Sequence, residues 1–477
     1  MGKYLVETKA RIGMMGIALE AYMPQFPSLR DAFKKQYQSA IDQYFKGDYE
    51  LYSAGLVTVK EDAEKAGRLF REKDVDVVFL YTLTYCTSST LVPAIEGLDV
   101  PIVIINLQAL KKLDCDKANT IDSWLGYGFA CGPVPEMTAT LIRMGKRFDV
   151  LTGYLEGDDV FKKSVEKWCT AASVRARFRL GSAVMVGRQY PGMMDLYTSD
   201  LNLYNRLRIY VKPFDWEFMW RIADDIRDKD RIHAKAQEVY NTFEIEGGKK
   251  PEDLYDLAAY VCGYEDFVKK ENVTIIASHY NGYAQGKAGD LDGKLNPIYS
   301  MLIKQGVACA VEGDIKVATA MSILKTISGT GTLEELYSLD FDDDIALLGH
   351  SGSGDDAVST RRKPLMKVVE VFHGKTGGGY LTQFYPGAGD LTILSIGEAL
   401  DGGYKLIAAE AVAEDGPILN LGDTNQRTRF SCGMRAFIDS WSLTGPTHHF
   451  AMAKGRHVDT LKCVAKILNI PIEVVCR

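Results

Sequence analysis

The chain has 477 residues, of which 46% are hydrophobic, 25% charged and 10% aromatic. That is the profile of an ordinary globular protein of roughly two to four domains, and it excludes wholesale disorder, collagen-like repeats and disulfide miniproteins. The 56 Lys+Arg and 63 Asp+Glu leave a formal charge of −7, which argues against a protein built to grip nucleic-acid phosphates.

The nine cysteines form no CxxC pair, so zinc ribbons and thioredoxin-like motifs have no support. Their odd number and wide spacing are expected of reduced thiols. The N-terminal stretch MGKYLVETKARIG has no apolar signal core, and Val100–Leu107 falls far short of the ~20 residues of a membrane span. A cytoplasmic protein with no membrane partner is expected.

Arg11–Leu19 reads as a strand, and Ser28–Phe45 as a helix with Leu29, Phe33, Tyr37, Ile41 and Tyr44 near a 3.6 period. Strands are expected at Leu56–Val59, Val75–Tyr81, Pro101–Asn106, Val150–Tyr154 and Ser182–Val186. Helices are expected at Ala63–Glu72, Glu136–Arg147 and Asp158–Val174. Such alternation implies an α/β domain with a doubly wound parallel sheet. A second α/β unit then reads as strand Leu207–Val211, charged helical stretches Trp216–Phe243 and Pro251–Lys270, strand Val273–Ala277 and helix Leu295–Lys304. After about residue 330 glycines become dense and separate short runs such as Val368–Phe372, Leu391–Ile396 and Lys405–Val412. This texture predicts an antiparallel, β-barrel-like domain, closed by helix Val458–Leu468 and strand Ile472–Val475. The expected domains are 1–175 (Rossmann-like), 176–325 (α/β) and 326–477 (β-rich).

Two glycine-rich motifs fail as phosphate cradles. Gly374-Lys375-Thr376 lacks the earlier glycine of a P-loop, and Gly352 and Gly354 do not continue as a dinucleotide fingerprint. No nucleotide cofactor is expected.

Four other residues suggest a metal site. Glu312-Gly313-Asp314 lies between the apolar run Val307–Val311 and a helical pattern over Ile315–Ile327, so Asp314 is a natural N-cap and Glu312 stands at a strand-to-helix switch. Glu335 follows in a mixed segment, His350 ends the apolar run Ala346-Leu347-Leu348-Gly349, and His448-His449 follow the turn Thr444-Gly445-Pro446-Thr447. Taken singly, each has a structural alternative: a surface acid paired with Lys316, a solvated acid, a hydrogen-bonded core histidine. Together, carboxylates and imidazoles without thiolates suit Mn²⁺, with Co²⁺ or Mg²⁺ as alternatives.

Val311-Glu312-Gly313-Asp314, Glu335-Leu336-Tyr337, Leu348-Gly349-His350 and Gly445-Pro446-Thr447-His448-His449 resemble the arabinose/fucose isomerase superfamily in order and spacing. Gly16–Phe26 and Gly422–Arg427 look like a divergent L-arabinose-isomerase-like branch. The resemblance implies an aldose–ketose isomerase that uses a divalent metal and an unphosphorylated sugar. Glu312 and Glu335 match the family's acid/base pair and metal ligands, and His350 and His449 its remaining ligands. His449 rather than His448 is chosen by matching back from Gly455. The resemblance also implies a homotrimer or homohexamer with composite sites, in which Tyr22, Gln25 and Gln108 lie at strand ends of the N-terminal domain. With His279, and with Tyr280 as an apolar wall, these are the candidate sugar contacts. The alternatives are another divalent-metal carbohydrate enzyme, such as an aldolase or hydrolase, and a non-catalytic sugar-binding protein.

Overall fold

The computed structural model describes residues 4–127, 131–279, 286–372 and 377–477. Tyr280 and Gly374-Lys375-Thr376 lie outside the described residues. The chain forms two compact units: one of Lys9–Ala176 with Lys462–Asn469, the other of residues up to Thr8, Arg177–Leu461 and Ile470–Arg477. Among the described residues no helix is long and apolar enough to cross a membrane.

The first unit is built on five parallel strands: β1 (Ala10–Ile17), β2 (Tyr49–Val57), β3 (Val77–Thr82), β4 (Ile102–Gln108) and β5 (Phe148–Tyr154), in the order β2-β1-β3-β4-β5. Every residue of β3 is buried, as a central strand covered by helices on both faces requires. Phe70, Val78, Leu91, Ile104 and Leu141 belong to the core between this sheet and the helices. The doubly wound reading of the sequence describes this unit. Strand order reverses between β1 and β3, the switch point where ligands collect in such sheets. The short helix Tyr22–Gln25 follows β1 there.

The second unit begins with β6 (Ser182–Val186), β7 (Val211–Phe214), β8 (Glu244–Ile245), β9 (Val273–Ser278) and β10 (Ala308–Ala310). β10-β9-β6-β7 form a second parallel sheet. The later strands are β11 (Thr332–Asp340), β12 (Ile345–His350), β13 (Leu365–Val369), β14 (Gly379–Gln383), β15 (Gly389–Glu398), β16 (Tyr404–Glu414), β17 (Thr424–Arg429), β18 (His449–Lys454) and β19 (Ile472–Cys476). Antiparallel pairing runs β15-β18-β11-β12-β17-β16 and returns from β16 to β15, closing a barrel to which β19 adds in parallel on β16. β8, β13 and β14 make a small third sheet. The β-barrel expected from the glycine-dense region is present. A finer division of this unit at 325/326 is our proposal, resting on its separate parallel sheet and barrel.

Several expected elements differ: the strand expected at Leu56–Val59 is the end of a longer one, β2 from Tyr49 to Val57, and the run Val368–Phe372 overlaps β13 only up to Val369. Of the strand expected at Leu207–Val211 only Val211 is strand; Leu207 ends a helix, Asp200–Leu207, whose Leu203 and Leu207 are buried. Arg208 adopts a left-handed conformation and stops it, so that β7 starts only at Val211. The charged stretch Trp216–Phe243 is two helices, Trp216–Arg221 and Lys229–Thr242, the second begun by an Asp228 cap on the Arg231 N–H.

The helix Ile315–Ser328 positions the site. It packs on β9 and β10 on one side and on β11, β15 and β18 on the other, and it is buried from Ile315 to Lys325. Its apolar residues therefore run all round, as a core helix demands. Its N-terminus emerges where the parallel sheet meets the barrel.

Candidate metal centre

Glu312 lies between β10 and that helix. Its φ is 61°, an uncommon value for a non-glycine residue, and such backbone persists only where its surroundings impose it. Two hydrogen bonds impose it here. Tyr190 N–H donates to the Glu312 carbonyl at 2.9 Å, and Gly313 N–H donates to the Ser278 carbonyl at 2.7 Å. Gly313 also has positive φ, 70°, and a Cβ there would lie 2.4 Å from the Arg188 carbonyl oxygen. Only glycine fits there.

Asp314 caps the helix as the sequence predicts, its Oδ1 accepting from Val317 N–H at 2.9 Å. Its other oxygen, Oδ2, is 3.1 Å from Nδ1 of His449. The remaining ring nitrogen, Nε2, is thereby aimed at Glu312, whose Oε2 is 3.6 Å away. Burial resists a charge on His449, but the Asp314 hydrogen bond and the nearby carboxylates of Asp314, Glu312 and Glu335 outweigh it and raise its pKa.

Barrel register supplies Glu335. It stands opposite His449 on β18 and opposite Gly349 on β12, and cross-strand partners share a face. His350 ends β12. Burial, with the His449 and His448 imidazoles beside it, holds it well below the usual histidine range, so it offers a neutral lone pair. Its ring centroid is 5.1 Å from that of His449. The expected acid/ligand set is thus gathered at one place.

The structure adds two residues. His448, set aside in the sequence in favour of its neighbour, has Nδ1 2.7 Å from Asp195 Oδ2, while its backbone N–H donates to the same oxygen at 3.0 Å. Its Nε2 is 4.0 Å from Glu312 Oε2. Among the described residues, two groups have ligand atoms mutually within 4.8 Å: Glu312, His350 and His449, and Glu335, His448 and His449. His449 is common to both. Asp195 carried no sequence signal, since nothing in Met194-Asp195-Leu196 distinguishes it from a turn. Lys316, the suggested partner of Glu312, instead donates to the Asp195 carbonyl at 2.6 Å.

The donor set fits a divalent cation. It offers carboxylate oxygens and imidazole nitrogens, and Glu312 Oε2 is buried with no hydrogen-bond partner. A buried carboxylate oxygen left without a partner is costly, and a bound cation would offset that cost. Oxygen and nitrogen donors without thiolate favour Mn²⁺, Co²⁺ or Mg²⁺. Around these groups lies a cavity of about 260 Å³, lined also by Tyr190, Asn296 and Phe372.

The candidate sugar contacts fall in both units. His279 follows β9 in the second, its ring centroid 5.8 Å from that of Tyr190. Burial and the Arg188 charge lower its pKa. Tyr22 and Gln25 begin and end the short helix after β1, and Gln108 ends β4 and donates to the Leu110 carbonyl at 2.7 Å. These three belong to the first unit.

The chain is distantly related to proteins named L-arabinose isomerase. It is 23% identical over 270 residues to one from Klebsiella pneumoniae (strain 342), a match covering 54% of this chain and 52% of the relative. It is 23% identical over 355 residues to one from Erwinia tasmaniensis, covering 70% and 68%. The chain spans about half the length of the Klebsiella relatives it matches. No family model matches.

Proposed function

We propose that the protein is a metal-dependent aldose–ketose isomerase acting on an unphosphorylated sugar of L-arabinose or L-fucose type. The observation that carries this reading is the convergence of Glu312 and Glu335 with three imidazoles in one cavity; the distant relatives named L-arabinose isomerase support the same reaction class.

Isomerisation moves a proton between carbons 1 and 2 and another between their oxygens, through an enediol. Glu312 and Glu335 approach the shared His449 from two different elements, a loop before a helix and a barrel strand. That leaves one carboxylate to take the carbon-bound proton and return it to the neighbouring carbon, and the other to exchange protons with the hydroxyls. Glu312, Glu335, His350 and His449 are the proposed ligands. A bound Mn²⁺, or Co²⁺ or Mg²⁺, would polarise the carbonyl and offset negative charge on the sugar oxygens. Imidazoles in their neutral form would hold such an ion without adding charge. No nucleotide or redox cofactor enters the reaction.

Tyr22, Gln25, Gln108 and His279 are proposed to read the hydroxyls beyond carbon 2, where one aldose differs from another. A buried polar group left unpaired costs about 1–3 kcal/mol, enough to set such a preference. We also propose a cytoplasmic homotrimer or homohexamer in which one subunit's N-terminal domain completes a neighbour's site.

The test is a panel of unphosphorylated aldoses with ketose formation and solvent deuterium entry at carbon 2 as readouts, L-arabinose first. Glu312→Gln and Glu335→Gln are each expected to lower turnover about 10²–10⁴-fold. A product of changed mass would assign an aldolase or hydrolase instead. Turnover of phosphorylated sugars alone would overturn the substrate class, and full activity after exhaustive chelation would overturn the metal.

A further inference from the structure

Cys432 lies in the turn between β17 and the helix Met434–Leu443, and Cys476 ends β19, 44 positions away. The fold brings them together. Cys432 N–H donates to Cys476 Sγ at 3.3 Å, and Ser431 Oγ is 3.2 Å from the same sulfur. Both are free, Cys476 buried and Cys432 exposed.

We propose that Cys432 and Cys476 form a peroxide-responsive thiol pair that closes to a disulfide and fastens β19 to the β17 turn. Neither residue belongs to the proposed metal centre, and the inference does not depend on the sugar reaction.

The two sulfurs divide the work. Burial opposes ionisation of Cys476, but hydrogen bonds with Cys432 and Ser431 and from backbone N–H groups outweigh it and hold the thiol below the usual range. The Cys432 thiol is pushed up by burial and by the neighbouring Cys476. The thiolate is the nucleophile in such chemistry. Cys476 thiolate therefore attacks one oxygen of hydrogen peroxide, the O–O bond breaks, and the departing oxygen leaves as water after taking a proton. This gives a sulfenic acid at Cys476. Cys432 sulfur then attacks that sulfur, the S–OH bond breaks, and a second water leaves with the Cys432 proton. Overall, two thiols and one peroxide give one disulfide and two waters. Hydrogen peroxide is small enough to reach a buried sulfur whose partner is exposed.

The bond would close a loop containing the helix Met434–Leu443 and β18 with His449. It would also pin an edge strand that is otherwise held through its parallel pairing with β16.

The experiment treats the full-length native protein with stoichiometric hydrogen peroxide, alkylates it and maps peptides by mass spectrometry. A Cys432–Cys476 cross-linked peptide about 2 Da lighter than the two thiol peptides is expected. In Cys432→Ser, dimedone should label Cys476; in Cys476→Ser, Cys432 should stay unlabelled. The cross-link should not form preferentially in denatured protein, and in native protein it should slow amide exchange over residues 472–476. Oxidation that falls first on the exposed Cys115 and Cys131 while both thiols of the pair remain alkylatable would overturn the proposal. So would dimedone labelling of Cys432 in place of Cys476.

Discussion

One carboxylate, Asp314, serves a helix and a histidine 135 positions apart: Oδ1 caps Ile315–Ser328 through Val317 N–H, and Oδ2 holds His449 Nδ1 at 3.1 Å. The ring of His449 is thereby fixed to the end of the helix that also sets Glu312. Orienting partners of this kind govern how well a histidine binds a metal. Asp314→Asn keeps an oxygen for the cap but removes the charge facing His449. It is expected to leave the fold intact and to weaken Mn²⁺ binding about 10–100-fold, read by calorimetric titration. Asp314→Ala should also cost about 1 kcal/mol of stability through the lost cap. Unchanged Mn²⁺ affinity in Asp314→Asn would separate the helix end from the metal centre.

The two adjacent histidines should separate in metal stoichiometry. His449 joins both ligand groups, whereas His448 joins only the one with Glu335. His449→Ala is expected to lose most bound Mn²⁺ on gel filtration. His448→Ala should retain part of it, because Glu312, His350 and His449 remain. Metal content by elemental analysis decides, and the reverse order would exchange their roles.

Gly313→Ala tests the turn that presents Glu312. The added Cβ would lie 2.4 Å from the Arg188 carbonyl oxygen at a φ of 70°. Strain of this kind costs about 1–3 kcal/mol, or the loop moves and takes Glu312 with it. Denaturant unfolding should report the first, and weakened Mn²⁺ binding the second. A variant normal in both would show that the loop is not held where we find it.

The buried pair Lys325–Asp355, with Nζ and Oδ2 2.6 Å apart, should be revealed by pH. Burial raises the Asp355 pKa above 3.8, opposed by Lys325 and by the Gly331 and Ala357 N–H groups. With its folded pKa above the unfolded one, its contribution is fully present below about pH 3.8 and is lost as pH rises through the folded value. Lys325→Met removes the main opposing attraction and leaves a buried carboxylate unpaired, costing about 3–5 kcal/mol near neutrality. The stability gap to wild type should therefore shrink toward acid pH, measured by thermal melts across a pH series. A gap independent of pH would mean that Asp355 does not ionise in the fold.

Much of the architecture could be read along the chain, because local patterns carry it. Buried parallel strands are continuous apolar runs, and the helices between them keep their period; β6, Leu295–Lys304 and Val458–Leu468 have the bounds the sequence predicts. The Asp314 cap is local too, since donor and acceptor are three residues apart. The helix Asp200–Leu207 is less legible: a short apolar stretch suits helix or strand equally, and burial of Leu203 and Leu207 decides it.

What lay beyond the sequence is pairing between distant segments. Glu334 and Glu335 are adjacent and chemically the same, yet strand alternation turns them to opposite faces of β11. Glu335 stands across from His449. Glu334 stands across from Phe450, is fully buried without a hydrogen-bond partner, and has its carboxyl pushed well up by burial and by the charge of Glu335. Asp195, a plain turn residue, gains its meaning only from His448, 253 positions away. Residue type and spacing determine which groups a strand or helix offers; register and closure of the barrel decide which face each group takes and what it meets, because those depend on hydrogen bonds between segments that share no local sequence.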